Sequence, residues 1–221
     1  MISLLLVSWT IGCFIFAQIF FKLILDNFRF NAGNFVFDPK VLQGIATKHA
    51  ADSTKTKEEV FDAVQQELAK TYPDHVWTRK QWVWLSSGGS VVSATFLHAS
   101  LTEFLIFYGT PTPVSGHSGR QPLEAFDFVL RGEKCYQLEN EIKLNRAKAG
   151  EMSYLPTMRS ANLCIKDECW SLQYGRGLLP LALPFYLLST FTSTLDFISL
   201  IRGIMICSSY TLYELFYNKK I

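Results

Sequence analysis

The sequence predicts a mixed α+β chain in which a small β-barrel or sandwich lies between apolar terminal segments. Three observations predict it. The first twenty-one residues, MISLLLVSWTIGCFIFAQIFF, carry no charged side chain. From about Trp77 to Tyr174, short β-branched and aromatic runs alternate with Gly, Pro and Asn. From Leu178 to Tyr217 the chain is apolar again over about forty residues, with Asp196, Arg202 and Glu214 as its only charges. Of the 221 residues, 49% are hydrophobic and only 18% charged, so part of the apolar surplus is expected to meet lipid. A net charge of +2 gives no basis for nucleic-acid binding.

The N-terminal apolar run continues past Lys22 to Leu25, roughly the 20 residues that a helix needs to cross a bilayer. A cleaved signal peptide is the competing reading, but there is no basic leading region, the core is long for such a peptide, and no A-x-A-like site follows. Residues 1–25 are therefore read as an uncleaved transmembrane anchor. Lys22, Asp26 and Arg29 beside it largely offset one another and set no orientation.

Residues 30–73 read as helical. Pro39 suits a first helical turn, with Val41, Leu42, Ile45 and His49 at helical spacing. Thr56 and Glu59 have the spacing of a capping box, and Val60, Phe61, Val64 and Leu68 follow on one face before Pro73. Residues 74–177 hold the short strands, with Gly88-Gly89 at a turn, and a small barrel or sandwich is the simplest way to close so many of them. Small barrels of this kind can hold one ligand in an apolar interior. In residues 178–221, Pro180 and Pro184 argue against one straight spanning helix. From Ser193 to Tyr217, charges and hydroxyls are spread so that a helix lying in the membrane surface fits better than a second span, with Lys219 and Lys220 at headgroup level.

No phosphate-binding loop, dinucleotide fingerprint, HExxH or GxSxG occurs, so no cofactor is predicted. Cys13, Cys135, Cys164, Cys169 and Cys207 form no CxxC pair, and His49, His75, His98 and His117 are scattered, so no metal site is predicted. Acids inside apolar runs stand out instead, because a charge there is expensive without a partner. Glu103, in LHASLTEFLIFYGT, reads as a structural carboxylate that accepts backbone hydrogen bonds. Asp127, in LEAFDFVLRG, lies between two phenylalanines, where desolvation would suit proton transfer or the binding of a cationic amine.

FVFDP (35–39), LHASLTEFLIFYGT (97–110), SGHSGR (115–120), Asp127, YGRGLLP (174–180) and STLDF (193–197) occur in this order after an N-terminal apolar segment. Together they resemble the sigma non-opioid receptor and C-8 sterol isomerase family, from about Phe35 to the C-terminus. The resemblance implies a cupin-like β-barrel carried on one transmembrane helix and closed by two membrane-associated C-terminal helices. It also implies an endoplasmic reticulum membrane or nuclear envelope location, homo-trimers, contacts with lipids and other membrane proteins, and a cavity for sterols or amphiphilic amines. Asp127 falls on one of the family's two cavity carboxylates and Glu103 on an acid that holds backbone near FVF. Phe104 and Tyr108 match cavity-lining aromatics; Leu183 and Tyr210 are looser matches.

The second cavity carboxylate falls on Gln173. Moving a sterol double bond from C8 to C7 passes through a cationic intermediate and needs an acid, a base and nearby negative charge. An amide can hydrogen-bond Asp127 but cannot transfer a proton. Losing one proton-transfer group costs about 10²–10⁴-fold in rate. The expected function is therefore non-catalytic binding, with Asp127 as the anionic anchor and Gln173 donating to it. An isomerase in which Glu124 or Glu168 substitutes, with Asp127 catalytic, is the alternative, and a scaffold with a vestigial cavity is a third. Glu124 is three residues from Asp127, on the opposite face of a strand, and Glu168 sits in a polar turn. Ser90 and Ala94 stand where the family's receptors carry bulkier residues, so no ligand selectivity follows from the resemblance.

Overall fold

Asp38 accepts a hydrogen bond from the Lys40 amide at 2.8 Å and, with Pro39 in the first turn, starts α1 (Pro39–Ala50). A reciprocal capping box between Thr56 and Glu59 starts α2 (Lys57–Thr71). The computed structural model describes residues 35–52 and 54–220, together with Gln18. The transmembrane helix expected over residues 1–25 lies, apart from Gln18, outside the described residues. Among the described residues, no helix is long and apolar enough to cross a membrane.

Among the described residues nine strands follow: β1 (Val83–Ser87), β2 (Ser90–Ala99), β3 (Glu103–Thr110), β4 (Val114–His117), β5 (Leu123–Leu138), β6 (Asn145–Lys148), β7 (Met152–Leu155), β8 (Ala161–Ile165) and β9 (Cys169–Gly177). All their pairings are antiparallel, in the order β1-β2-β3-β9-β5-β8-β4, with β6 and β7 also on β5. The His117 amide donates to the Gly88 carbonyl at 2.9 Å, bringing β4 onto the β1–β2 turn and nearly closing the barrel. A side chain at Gly88 would collide with that His117 carbonyl, and its φ of 52° suits glycine.

Strand β5 belongs to both walls. Its first part pairs with β7 and β9 and its last part with β6 and β8. Between them the register against β9 slips at Val129/Arg131, leaving Leu130 as the extra residue of a β-bulge.

Alternation across β3, β5 and β9 sorts the side chains into two layers. Leu105, Phe107, Phe126, Phe128, Leu172 and Tyr174 pack with Phe37, Leu42, Val60, Phe61, Val64 and Leu68, so that α1 and α2 cover one face of the sheet. Val41 is exposed, and Leu42 and Ile45 carry the buried face of α1. Phe104, Ile106, Tyr108 and Gln173 belong to the opposite face and line the barrel interior.

After β9, a 3₁₀ turn (Leu179–Ala182) leads into α3 (Leu183–Ser189), placing Pro180 and Pro184 in first turns. A π-helical turn (Thr190–Thr194) ends at Leu195, and Asp196 caps α4 (Phe197–Phe216) by accepting from the Ser199 amide at 3.0 Å. The outer faces of α3 and α4 leave Leu188, Phe191, Ile198, Ile201 and Met205 exposed.

Candidate ligand site inside the barrel

Two cavities meet at the barrel mouth. The inner one, about 110 Å³, is lined by Tyr108, Lys134, Gln173 and the apolar wall of β3 and β5. The outer one, about 370 Å³, lies between the barrel and α3 and α4, and its lining includes Leu183, Ile204 and Leu212. Leu85, Phe104, Ile106, Leu123 and Tyr186 line both. The arrangement is a narrow polar end opening into an apolar chamber, and the chamber falls in the roughly 300–1,000 Å³ range of small-molecule sites.

At the polar end, Asp127 and Gln173 are cross-strand partners on β5 and β9. They face each other as the family resemblance implies, but the Asp127 carboxylate takes a different partner. Its Oδ2 accepts from the Lys134 ammonium, while Oδ1 is buried without a hydrogen-bond partner among the described residues, so no bond from Gln173 reaches it. Lys134 is 3% exposed and also donates to the Tyr108 hydroxyl at 3.2 Å, with its ammonium 5.9 Å from that ring's centre. Burial first, and the Asp127 charge second, push the Tyr108 phenol well above its ordinary range. Burial pushes the neighbouring Cys169 up to about 11, so it stays a thiol at neutral pH.

Lys134 is the site residue that sequence reasoning missed. It lies seven residues from Asp127, and an odd spacing in a regular strand puts two side chains on opposite faces. The bulge at Leu130 adds one residue to β5 and turns Lys134 inward onto Asp127.

Glu103, on β3, has its carboxylate on the other face of the sheet. Fully buried, it accepts from the Val36 amide at 2.7 Å, the Phe37 amide at 3.4 Å and the Tyr174 hydroxyl at 2.9 Å, and pairs with Lys220 at 3.1 Å. The Tyr174 phenol is pushed up by burial and by Glu103. Phe104 lines both cavities and Leu183 only the outer one. Tyr210 is instead stacked on Trp77, rings 4.4 Å apart, and is not among the residues lining either cavity. Glu124 pairs with Arg176 and accepts from Tyr154, and Glu168 pairs with Lys57; neither lines a cavity. Ser90 lines the inner cavity, where its small side chain leaves room.

The histidines that look scattered in sequence do meet in part. His75 Nδ1 lies 2.8 Å from Glu214 Oε2, His98 Nδ1 lies 2.9 Å from the His75 carbonyl, and the three residues place possible ligand atoms within 4.8 Å of one another.

A family model described as ERG2 and Sigma1 receptor like protein matches residues 11–219. The chain belongs to this family. Among its ERG2 and sigma-1 receptor-like relatives, the "Protein erg2 homolog" of Dictyostelium discoideum is 37% identical over 74% of this chain and 70% of that protein. The "C-8 sterol isomerase" of Mycosarcoma maydis is 31% identical over 78% of this chain and 74% of that protein. The "Sigma non-opioid intracellular receptor 1" of Danio rerio is 32% identical over 75% of this chain and 74% of that protein. A solved RmlC-like cupin from Shewanella frigidimarina aligns with 48% of this chain and 91% of its own, at 12% identity and a TM-score of 0.40. The family thus contains proteins named as receptors and proteins named as isomerases.

Proposed function

We propose that this family member binds a sterol or related amphiphile in the two-part cavity and does not shift its double bond. The observation that carries the reading is the pairing of Asp127 with Gln173 across β5 and β9, with no Asp or Glu among the described residues that line the two cavities. A C8-to-C7 shift adds a proton at one ring carbon and removes one from another, and it stabilises the cation between with negative charge. Here the Asp127 carboxylate already bonds an ammonium, so Asp127, Lys134 and Gln173 together carry no net charge. Lys134 opposes the developing cation, and Gln173 neither supplies nor removes a proton. Binding needs none of this: the apolar chamber under α3 and α4 accepts a ring system by burial alone.

The exposed apolar residues of α3 and α4 favour the same picture of a protein seated on the endoplasmic reticulum membrane, with residues 1–25 as its single span. Trimer formation and action through lipids or other membrane proteins belong to this proposal.

The test is complementation of a cell lacking C-8 sterol isomerase, with its sterols profiled, alongside binding of tritiated cholesterol to the membranes. Saturable binding without Δ7-sterol is expected. Robust Δ7-sterol production would establish the isomerase reading instead, and absence of saturable binding would leave only a scaffold.

A further inference from the structure

We infer that Lys134 sets ligand class: it occupies, as an internal counter-ion, the place beside Asp127 where a protonated amine would bind. The cavity consequently takes uncharged amphiphiles that end in a hydroxyl or keto oxygen and turns amines away. The inference rests on the binding function proposed above and goes beyond it, because the resemblance implies amine binding through a cavity carboxylate.

Three observations carry it. First, Lys134 lines the inner cavity and Asp127 does not, so the carboxylate sits behind the ammonium that it bonds. An amine could reach it only by displacing a side chain from the same strand, and that side chain forgoes the translational freedom a free ligand must lose. Second, both groups are buried, with 4% and 11% of their side chains exposed, so an incoming ammonium would meet Lys134 with little screening. Third, the polar groups presented to the cavity include donors. The ammonium has three N–H groups, of which Asp127 and the Tyr108 hydroxyl take two, and the Gln173 amide lines the same space. A ligand hydroxyl or ketone accepts from them without adding charge.

The experiment uses the full chain in phosphatidylcholine nanodiscs with a matched pair of probes: tritiated cholesterol, competed by unlabelled cholesterol or by its 3β-amino analogue. With the wild-type chain the alcohol should compete at least about 10-fold better than the amine. Lys134→Met leaves Asp127 as an unpaired anion at the polar end and should strengthen amine competition about 10- to 100-fold, reversing the order. Lys134→Met/Asp127→Asn removes both charges and should show no such gain.

Equal or better competition by the amine on the wild-type chain overturns the inference while leaving the binding function intact. An unchanged amine affinity in folded Lys134→Met overturns it too. If cholesterol itself shows no saturable binding, both the inference and the function it rests on fall. The wild-type comparison requires no substitution, so it decides the matter even where circular dichroism shows that Lys134→Met has not folded.

Discussion

Two buried acids sit on opposite faces of one sheet, and their surroundings differ in kind. Glu103 bonds two backbone amides and a tyrosine hydroxyl and forms an ion pair with Lys220, and both of its oxygens are used. Asp127 bonds Lys134, with the Tyr108 hydroxyl also interacting with the carboxylate, and keeps Oδ1 without a partner among the described residues. A carboxylate saturated by backbone fixes chain, here the segment leading into α1. A carboxylate with a spare oxygen, held by side chains alone beside a cavity, leaves its chemistry adjustable. Both acids interrupt apolar runs in the same way in sequence, so burial alone does not separate a structural acid from one at a binding site.

The contrast is broken most severely at Glu103. Glu103→Ala strips the Val36 and Phe37 amides of their acceptor and leaves Lys220 without its anion, which should cost about 3–5 kcal/mol in chemical unfolding. A loss under about 1 kcal/mol would show that this carboxylate does not pin the segment.

The next effect is a pH dependence on the Glu103 side of the sheet. His98 is fully buried and its pKa is lowered to about 4, first by desolvation, which outweighs the raising effects of the Glu214 charge and the His75 carbonyl hydrogen bond; the nearby His75 and Lys220 charges lower it further. A histidine with a folded value below its unfolded value of about 6.5 favours the fold fully above that pH. Stability should therefore fall by about 3 kcal/mol between pH 6.5 and pH 4 and flatten below it. Thermal unfolding of the wild type against His98→Gln isolates this contribution; an equal slope in both would assign the loss to other groups.

At the other acid the stability effect is smaller. Asp127→Asn leaves Lys134 with Tyr108 and the cavity, so a cost of about 1–3 kcal/mol is expected, together with altered ligand competition. A change in stability with no change in binding would return Asp127 to the same class as Glu103. Thr56→Ala, remote from both acids, should cost about 1 kcal/mol through the lost cap and leave cholesterol binding unchanged.

What was legible in the sequence was local chemistry and alternation. The capping box, the Pro39 start and the apolar faces of α1 and α2 depend on neighbours three or four residues apart, while the cavity positions of Phe104 and Tyr108 come from the family resemblance. The barrel could be anticipated from many short strands, though not its closure at Gly88. Hidden features depend on irregularity or distance. The bulge at Leu130 brings Lys134 inward, where simple alternation places it outward. His75 and Glu214 meet across 139 positions, and Tyr210 is held by a Trp77 ring, neither of which leaves a periodic trace.

Purified protein incubated with a Δ8-sterol in heavy water tests binding without catalysis most directly, because any shift that passes through protonation must place deuterium in the product. Saturable occupancy with unchanged, unlabelled Δ8-sterol is predicted. Deuterated Δ7-sterol accumulating with the wild-type chain would contradict it and show that Asp127 and Lys134, with Gln173 opposite, suffice for the proton transfers.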